Sequence, residues 1–126
     1  MLAKKNRLNL SLKQNSSIFE KGNSFLVGSK FFLAYLRSNQ DSFKVTCLTP
    51  KVALTKATLR NHYRRFIYSL VEEKIQEKKL TADFKIDLVI ILKKNFTENK
   101  DDLREDFSDL IQKILAKINK NNEQAF

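Results

Sequence analysis

A segment near the middle of the chain, RNHYRRF, places three arginines and one asparagine within seven residues. At about 100° per residue of helix, Arg60 and Arg64 lie one above the other, with Asn61 and Arg65 on the adjoining strip. Lys56 extends the row by one turn. Like charges at this spacing repel by a few tenths of a kcal/mol, a cost that a bound polyanion removes. The pattern therefore indicates a surface for phosphate groups, and nucleic acid is the obvious polyanion.

The same segment carries an apolar stripe on another side. Leu59, Tyr63, Phe66 and Leu70 follow helical spacing, so we predict a long helix over residues 56–79 with one apolar and one cationic flank. A solvated charged face is the alternative. It is less favoured because the acids that would pair with these arginines are absent until Glu72.

Charge is distributed unevenly along the chain of 126 residues. The net charge is +10, and residues 1–70 hold 13 Lys and Arg against two acids, with a basic segment over residues 1–10. This asymmetry favours nucleic acid or an anionic membrane as partner. Membrane is the weaker option, because the apolar run over residues 88–92 is too short to span a bilayer. The single cysteine, Cys47, fits a reducing, cytoplasmic compartment.

Length and pattern predict one domain, residues 1–126, of the α+β class. A short helix over residues 11–21 is followed by strand candidates over 31–36 and 43–49, which we expect to form an antiparallel hairpin. The long helix follows, then a third strand over 84–92, apolar enough to be buried on both faces. A last helix begins at the N-cap Asn99, with fraying expected over 120–126. The order is α-β-β-α-β-α.

Protein-borne catalysis finds little support. His62 stands among arginines and is expected at the surface, and Cys47 lies in an apolar strand and is expected in the core. No Cys or His set has zinc spacing. An acidic patch could attract a metal, but a charge bias at the start of a helix explains it better; its members are Asp101, Asp102, Glu105, Asp106 and Asp109. We expect no catalytic residue and no metal site on the protein.

Aromatic residues crowd the basic half of the chain. Most must be core, but one or two on the surface of the sheet could stack on unpaired bases. Phe19 is the residue for which core and stacking roles both stay open.

The order of these motifs resembles the protein subunit of bacterial ribonuclease P over residues 7 to about 118. That family opens with an Arg-Leu pair, here Arg7-Leu8, followed by a helix ending in Phe-x-x-Gly, here Phe19 to Gly22. A strand with the pattern Phe-x-x-Tyr comes next, and the family's helix carries Arg-Asn-x-x-Lys-Arg, which reads RNHYRR here. The remaining matches are Phe32 to Tyr35, Lys44-Val45, Lys51, the apolar strand from Asp87 to Ile91, and the last amphipathic helix.

The resemblance implies an α/β sandwich whose small sheet contains a left-handed βαβ crossover. It implies a protein subunit, monomeric in a 1:1 ribonucleoprotein, that binds a catalytic RNA and the 5′ leader of precursor tRNA. Cleavage would lie with the RNA and its Mg²⁺. The residues implied to bind the RNA subunit are Lys51, Lys56, Arg60, Asn61, Arg64 and Arg65; those implied for the leader are Phe19, Phe32, Tyr35 and Lys44. The alternative is a ribosome-associated or structural RNA-binding protein with no part in cleavage.

The chain departs from the family pattern at a few places. Asn15 stands where the family usually has a first phenylalanine, and Val52 where it has a second lysine. The approach to the arginines begins at Thr55 in place of glycine, and Tyr68 replaces an arginine one turn beyond them. These departures bear on how tightly the leader and the RNA are held.

Overall fold

The computed structural model describes residues 8, 17–19, 24–39, 43–50, 56–77, 79–80, 84–94 and 96–124, with side chains described as far as Ile118. A 3-10 turn at Ser17–Phe19 comes first. The strands are β1 (Phe25–Gly28), β2 (Phe32–Ser38), β3 (Lys44–Leu48) and β4 (Ile86–Leu92); the helices are α1 (Ala57–Gln76) and α2 (Lys100–Gln124). The α+β class with one small sheet is confirmed. The predicted helix over residues 11–21 lies outside the described residues except for the 3-10 turn.

The four strands lie in the order β1-β2-β4-β3. β4 is antiparallel to β2, with Ala34 opposite Ile90, and parallel to β3, with Val45 opposite Leu88. The predicted hairpin between the second and third strands is therefore wrong. β4 occupies the position between them because its residues are apolar on both faces, and a central strand buries both. The connection from β3 through α1 to β4 joins parallel neighbours, and its handedness stays a prediction.

β1 was not predicted from the sequence. It is a strand of four residues that pairs antiparallel with β2, with Leu26 opposite Tyr35 and Gly28 opposite Leu33. Its side chains are mostly exposed, so it lacks the apolar signal on which a strand prediction depends. It extends the surface of the sheet beyond β2.

Both helices cover one face of the sheet, and the main core lies between them. Side chains of β2, β3 and β4 point into it alternately, and Phe32 meets Phe107 of α2 edge to face at 5.6 Å. The opposite face has a smaller cluster in which Leu8, Ile18 and Val89 are buried, with Tyr35, Leu48 and Ile91 packed against them. The sheet therefore has a helix-covered face and a second face, on which the segment around Ile18 lies.

The outer edge of β3 is closed by side-chain and backbone contacts. The hydroxyl of Tyr68 on α1 accepts from the Cys47 backbone N–H at 3.2 Å and lies 3.3 Å from the Thr46 hydroxyl. The Leu8 N–H donates to the Val45 carbonyl at 2.9 Å. An uncovered strand edge invites pairing with another chain, so these contacts protect the edge. Tyr68, a departure from the family pattern, thus has a structural role here.

Helix α1 is oriented by its buried stripe, which comprises Tyr63, Ile67, Leu70, Val71 and Lys74. Leu59 was assigned to the apolar flank, but the structure leaves its side chain 42% exposed. Ala57 and Thr58 are exposed as well, and the buried stripe of α1 begins only at Tyr63. Phe66 is half-buried, with Lys100 and Arg104 of α2 over its ring.

Helix α2 begins as predicted. The side chain of Asn99 accepts from the N–H groups of Asp101 and Asp102 at 3.0 and 3.2 Å, which satisfies two donors that have no partner within the helix. The apolar residues that recur at helical spacing along this helix are all buried; they are Leu103, Phe107, Leu110, Ile111, Ile114 and Ile118. The helix continues to Gln124, and the fraying expected over residues 120–126 stays a prediction.

Candidate nucleic-acid interface

The first half of α1, together with Lys56 immediately before it, forms a cationic surface, which we call the arginine surface. Its side chains are those of Lys56, Arg60, Asn61, Arg64 and Arg65, and all but the half-buried Arg60 are exposed. These are the positions predicted from the sequence. Lys51, the sixth predicted residue, lies outside the described residues.

Two contacts fix the backbone beneath this surface. The buried Thr49 hydroxyl donates to the Arg60 carbonyl at 3.1 Å, which ties the end of β3 to the first turn of the helix. The buried ring of Tyr63 meets Phe96 edge to face at 5.2 Å. The exposed side chains therefore project from a held helix, which reduces the entropy lost when they bind.

The electrostatics of the arginine surface favour anions. The first turn of α1 contains no acid, so the positive end of the helix macrodipole adds to the side-chain charges. The guanidinium of Arg64 donates to the side-chain oxygen of Asn61, which orients it. A concavity with a volume of about 440 Å³ lies at this surface. It is lined by Leu48, Thr49, Pro50, Ala57, Arg60, Asn61 and Arg64. Its size and charge suit a ribose-phosphate backbone.

A second surface lies on the face of the sheet away from the helices. Ile18 is completely buried and anchors the 3-10 turn, whereas the next residue, Phe19, is 41% exposed. The Phe19 ring meets the Tyr35 ring edge to face at 5.1 Å. Leu26, opposite Tyr35 on β1, is 57% exposed. We call this set, with Leu33 of β2, the aromatic surface.

Phe32 does not belong to this surface, and the sequence prediction for it is corrected. Side chains alternate across a strand, so Phe32 and Tyr35 point to opposite faces. Phe32 is 0% exposed in the main core, where no base could reach it. Its presence in the Phe-x-x-Tyr pattern is explained by packing.

Lys44 lies on the same face as Tyr35, at the start of β3 and half-buried. It stands opposite Asp87 in the parallel register, and Arg37 stands opposite Asp87 on the other side. Asp87 is buried and accepts from Arg37 at 2.7 and 3.2 Å and from Asn39 at 2.7 Å. This network was not predicted from the sequence, although an aspartate inside an apolar strand was a visible signal for it.

The arginine surface and the aromatic surface are contiguous. Leu48, the last residue of β3, packs against the small cluster beneath Tyr35 and also lines the concave surface beside Arg64. One strand thus positions both, so a single bound RNA complex could contact them together.

His62 and Cys47 are the two potentially reactive side chains that the sequence singled out. His62 is exposed and rests edge to face on Tyr63. Burial raises the pKa of the Cys47 thiol, against a smaller opposing effect of the Arg64 charge, so the thiolate is not accessible. Within the ranges that the structure describes, no group of His, Cys, Asp and Glu side chains could hold a metal ion. The Mg²⁺ that the resemblance implies, bound mainly by the RNA, stays a prediction.

One member of the predicted acidic patch has an unexpected role. Asp106 is buried and accepts from the Ser29 hydroxyl at 2.7 Å and from the N–H groups of Lys30 and Phe31 at 3.1 and 2.8 Å. It therefore holds the turn between β1 and β2. The helix-start explanation fits Asp101 and Asp102, which lie exposed in the first turn of α2.

No helix in the described part of the chain is both long enough and apolar enough to cross a membrane.

Known proteins resemble this chain in sequence pattern and in fold. A family model described as Ribonuclease P matches residues 2–115. The solved RNase P protein from Thermotoga maritima is similar with a TM-score of 0.68 and 20% identity, over 85% of this chain and 96% of that one. The RNase P protein of Staphylococcus aureus is similar with a TM-score of 0.67 and 20% identity, over 86% of this chain and 94% of that one. No curated protein sequence matches the chain.

The two structural similarities support the fold, and the family match spans nearly the whole chain, including both surfaces. The chain belongs to the ribonuclease P protein family.

Proposed function

We propose that this chain is the protein subunit of a ribonuclease P ribonucleoprotein, and that it binds the catalytic RNA and the 5′ leader of precursor tRNA. The observation that carries the proposal is the pairing of two contiguous surfaces, one cationic and one aromatic, in a chain of this family. Cleavage of the leader would be catalysed by the RNA with its Mg²⁺. The protein would act in the cytoplasm as a single copy per RNA.

The arginine surface is suited to the structured RNA subunit. Its exposed cations follow one helix and face outward, so they can neutralise phosphates that approach each other in a folded RNA. Arginine also binds phosphate through two parallel N–H donors, which fixes orientation as well as charge. This contact would stabilise the RNA fold and position the protein on it.

The aromatic surface is suited to single-stranded RNA. Unpaired bases stack on exposed aromatic rings, and each such contact contributes about 1–3 kcal/mol with little dependence on sequence. Phe19 offers an exposed ring that Tyr35 holds from the side. Lys44, on the same face, would contact the backbone of the leader. A 5′ leader is single-stranded, and its sequence differs among precursors. A surface that binds leaders must therefore accept any base, as stacking does.

Reconstitution tests the proposal. We expect this protein together with a bacterial ribonuclease P RNA to cleave the leader from precursor tRNA faster than the RNA alone at low Mg²⁺. The protein without RNA should not cleave. If the protein bound the RNA and left the cleavage rate unchanged, the structural RNA-binding alternative would replace the proposal. Cleavage by protein alone would overturn the assignment of catalysis to the RNA.

A further inference from the structure

A lysine lies at the far end of the aromatic surface. Lys93 follows β4, and its backbone N–H continues the pairing with β2 by donating to the Phe31 carbonyl at 2.8 Å. Its ammonium donates to the Ser29 carbonyl at 2.6 Å. A Cβ added to Gly28 would meet the Leu33 side chain at 3.6 Å and the Lys93 ammonium at 3.7 Å. The Lys93 charge is therefore on the same face of the sheet as Leu33.

A continuous track connects Tyr35 with this lysine. Tyr35 and Leu33 are alternate residues of β2, about 7 Å apart on one face. Leu26 and Gly28 of β1 lie beside them in register. Because Gly28 has no side chain, the surface of the sheet has a shallow depression beside the Lys93 ammonium. A strand of RNA could follow this floor from the aromatic rings to the charge.

The Lys93 ammonium is held in position but keeps capacity to bind. An ammonium group has three donors, and the bond to Ser29 uses one. The ammonium makes no other hydrogen bond with the residues that the structure describes. Its half-buried stem limits its rotamers, so less entropy is lost on binding than for a lysine that extends into solvent.

We propose that Lys93 binds a phosphate of the 5′ leader at the end of the track that starts at Phe19 and Tyr35. The inference rests on the proposed function and deepens it, because it gives the leader a path across β2 towards β1. Bases would contact the aromatic rings and Leu26, and the backbone would reach Lys93 beyond them. The Lys93 contact would not depend on the base sequence of the leader, because Lys93 would bind a phosphate.

The chain offers a matched control in Lys113. Its ammonium donates to the Gly28 carbonyl at 3.0 Å, so it binds the same turn as Lys93 and carries the same charge. Lys113, however, belongs to α2, which packs on the opposite face of the sheet. A role in holding the turn is thus common to both lysines, and only Lys93 is on the leader side.

The experiment compares Lys93→Gln and Lys113→Gln in the reconstituted holoenzyme, with precursor tRNAs whose leaders lengthen one nucleotide at a time. In the unchanged protein, affinity should rise with leader length and then level off. For Lys93→Gln, affinity should level off at a shorter leader length, and the final affinity should be several-fold weaker than in the unchanged protein. The slope of log affinity against log salt should fall by about 0.7, as for one lost contact to single-stranded RNA. Lys93→Arg should restore the affinity curve and the salt slope, and Lys113→Gln should change neither the curve nor the slope.

Identical curves for the two glutamine variants would overturn the Lys93 assignment. A Lys93→Gln curve displaced equally at every leader length would also overturn it, because that result means a general loss of stability or charge. The proposed function has a separate readout: if affinity in the unchanged protein did not depend on the leader at all, the leader-binding role itself would fail.

Discussion

At the scale of single residues, Phe19 is the clearest link between structure and proposed function. The sequence left it between core and stacking roles, and the structure places it 41% exposed against Tyr35. Its neighbour Ile18 fills the apolar cluster, so Phe19 is not needed there. An exposed ring fixed by a neighbouring ring is a ready platform for a base.

Phe19→Leu should weaken binding of the holoenzyme to precursor tRNA by about 1–3 kcal/mol, the contribution of one stacked base. Affinity for mature tRNA should stay level, because the leader is absent. The control is Phe25→Leu, which removes a ring that is 43% exposed on the helix side of the sheet, beneath Lys117. Equal effects of the two changes on leader binding would argue against stacking at Phe19.

Asp106 supplies a second prediction, on stability. Asp106→Asn removes a charged acceptor from three hydrogen bonds and presents an N–H₂ group to N–H donors. An unsatisfied buried polar group costs about 1–3 kcal/mol, and we expect the free energy of unfolding in urea to fall by that amount. Asp109→Asn, exposed on the same helix, should be close to neutral. Similar losses in both variants would mean that the turn does not depend on Asp106.

At the scale of elements, what could be predicted depended on whether the signal was local. Asn99 caps α2 because its side chain bonds to residues two and three positions away, and sequence pattern detects such contacts. The apolar residues of β4 predicted burial on both faces for the same reason. The central position of β4 between β2 and β3 could not be predicted, because strand pairing depends on contacts between residues 43 to 60 positions apart, from Lys44 opposite Asp87 to Phe32 opposite Leu92.

For the candidate site, too, the features with a local sequence signal were predicted and those that depend on long-range contacts were not. The helical repeat predicted the exposed cations of α1, since four of the residues share consecutive turns. Phe32 and Tyr35 were predicted together from a motif, although their spacing of three residues puts them on opposite faces of a strand. Lys93 and Leu26 were missed because their significance arises only when β1 pairs with β2 and brings Gly28 beside them.

The arginine surface can be tested as one element. Arg64→Ala together with Arg65→Ala should weaken binding to the RNA subunit and lower the slope of log affinity against log salt by roughly 1.5, for two lost phosphate contacts. Both side chains are exposed, so the melting temperature should change little. Lys113→Ala with Lys117→Ala removes the same charge from α2 and should leave the slope nearly unchanged. An equal decrease of the slope in both double variants would indicate general electrostatic attraction to RNA instead of a defined interface.

At the scale of the whole molecule, the fold builds the arginine surface and the aromatic surface from different elements and keeps them adjacent. The helices bury one face of the sheet and leave the other for the aromatic surface, while the start of α1 and the end of β3 line one concavity, into which Arg60 and Arg64 bring their charge. Leu48 connects the two. The net charge of +10 belongs mainly to the half of the chain that builds these surfaces. This arrangement supports the proposal that the protein joins a structured RNA to a single strand.

The most direct test of this account is the effect of the protein on affinity for precursor tRNA with and without its 5′ leader. Binding would be measured for the RNA subunit alone and for the RNA with the protein, at fixed salt and Mg²⁺. We predict that the protein strengthens binding of the tRNA that carries a leader substantially more than binding of mature tRNA. An equal increase for both, or no increase for either, would contradict a leader-binding surface on this chain.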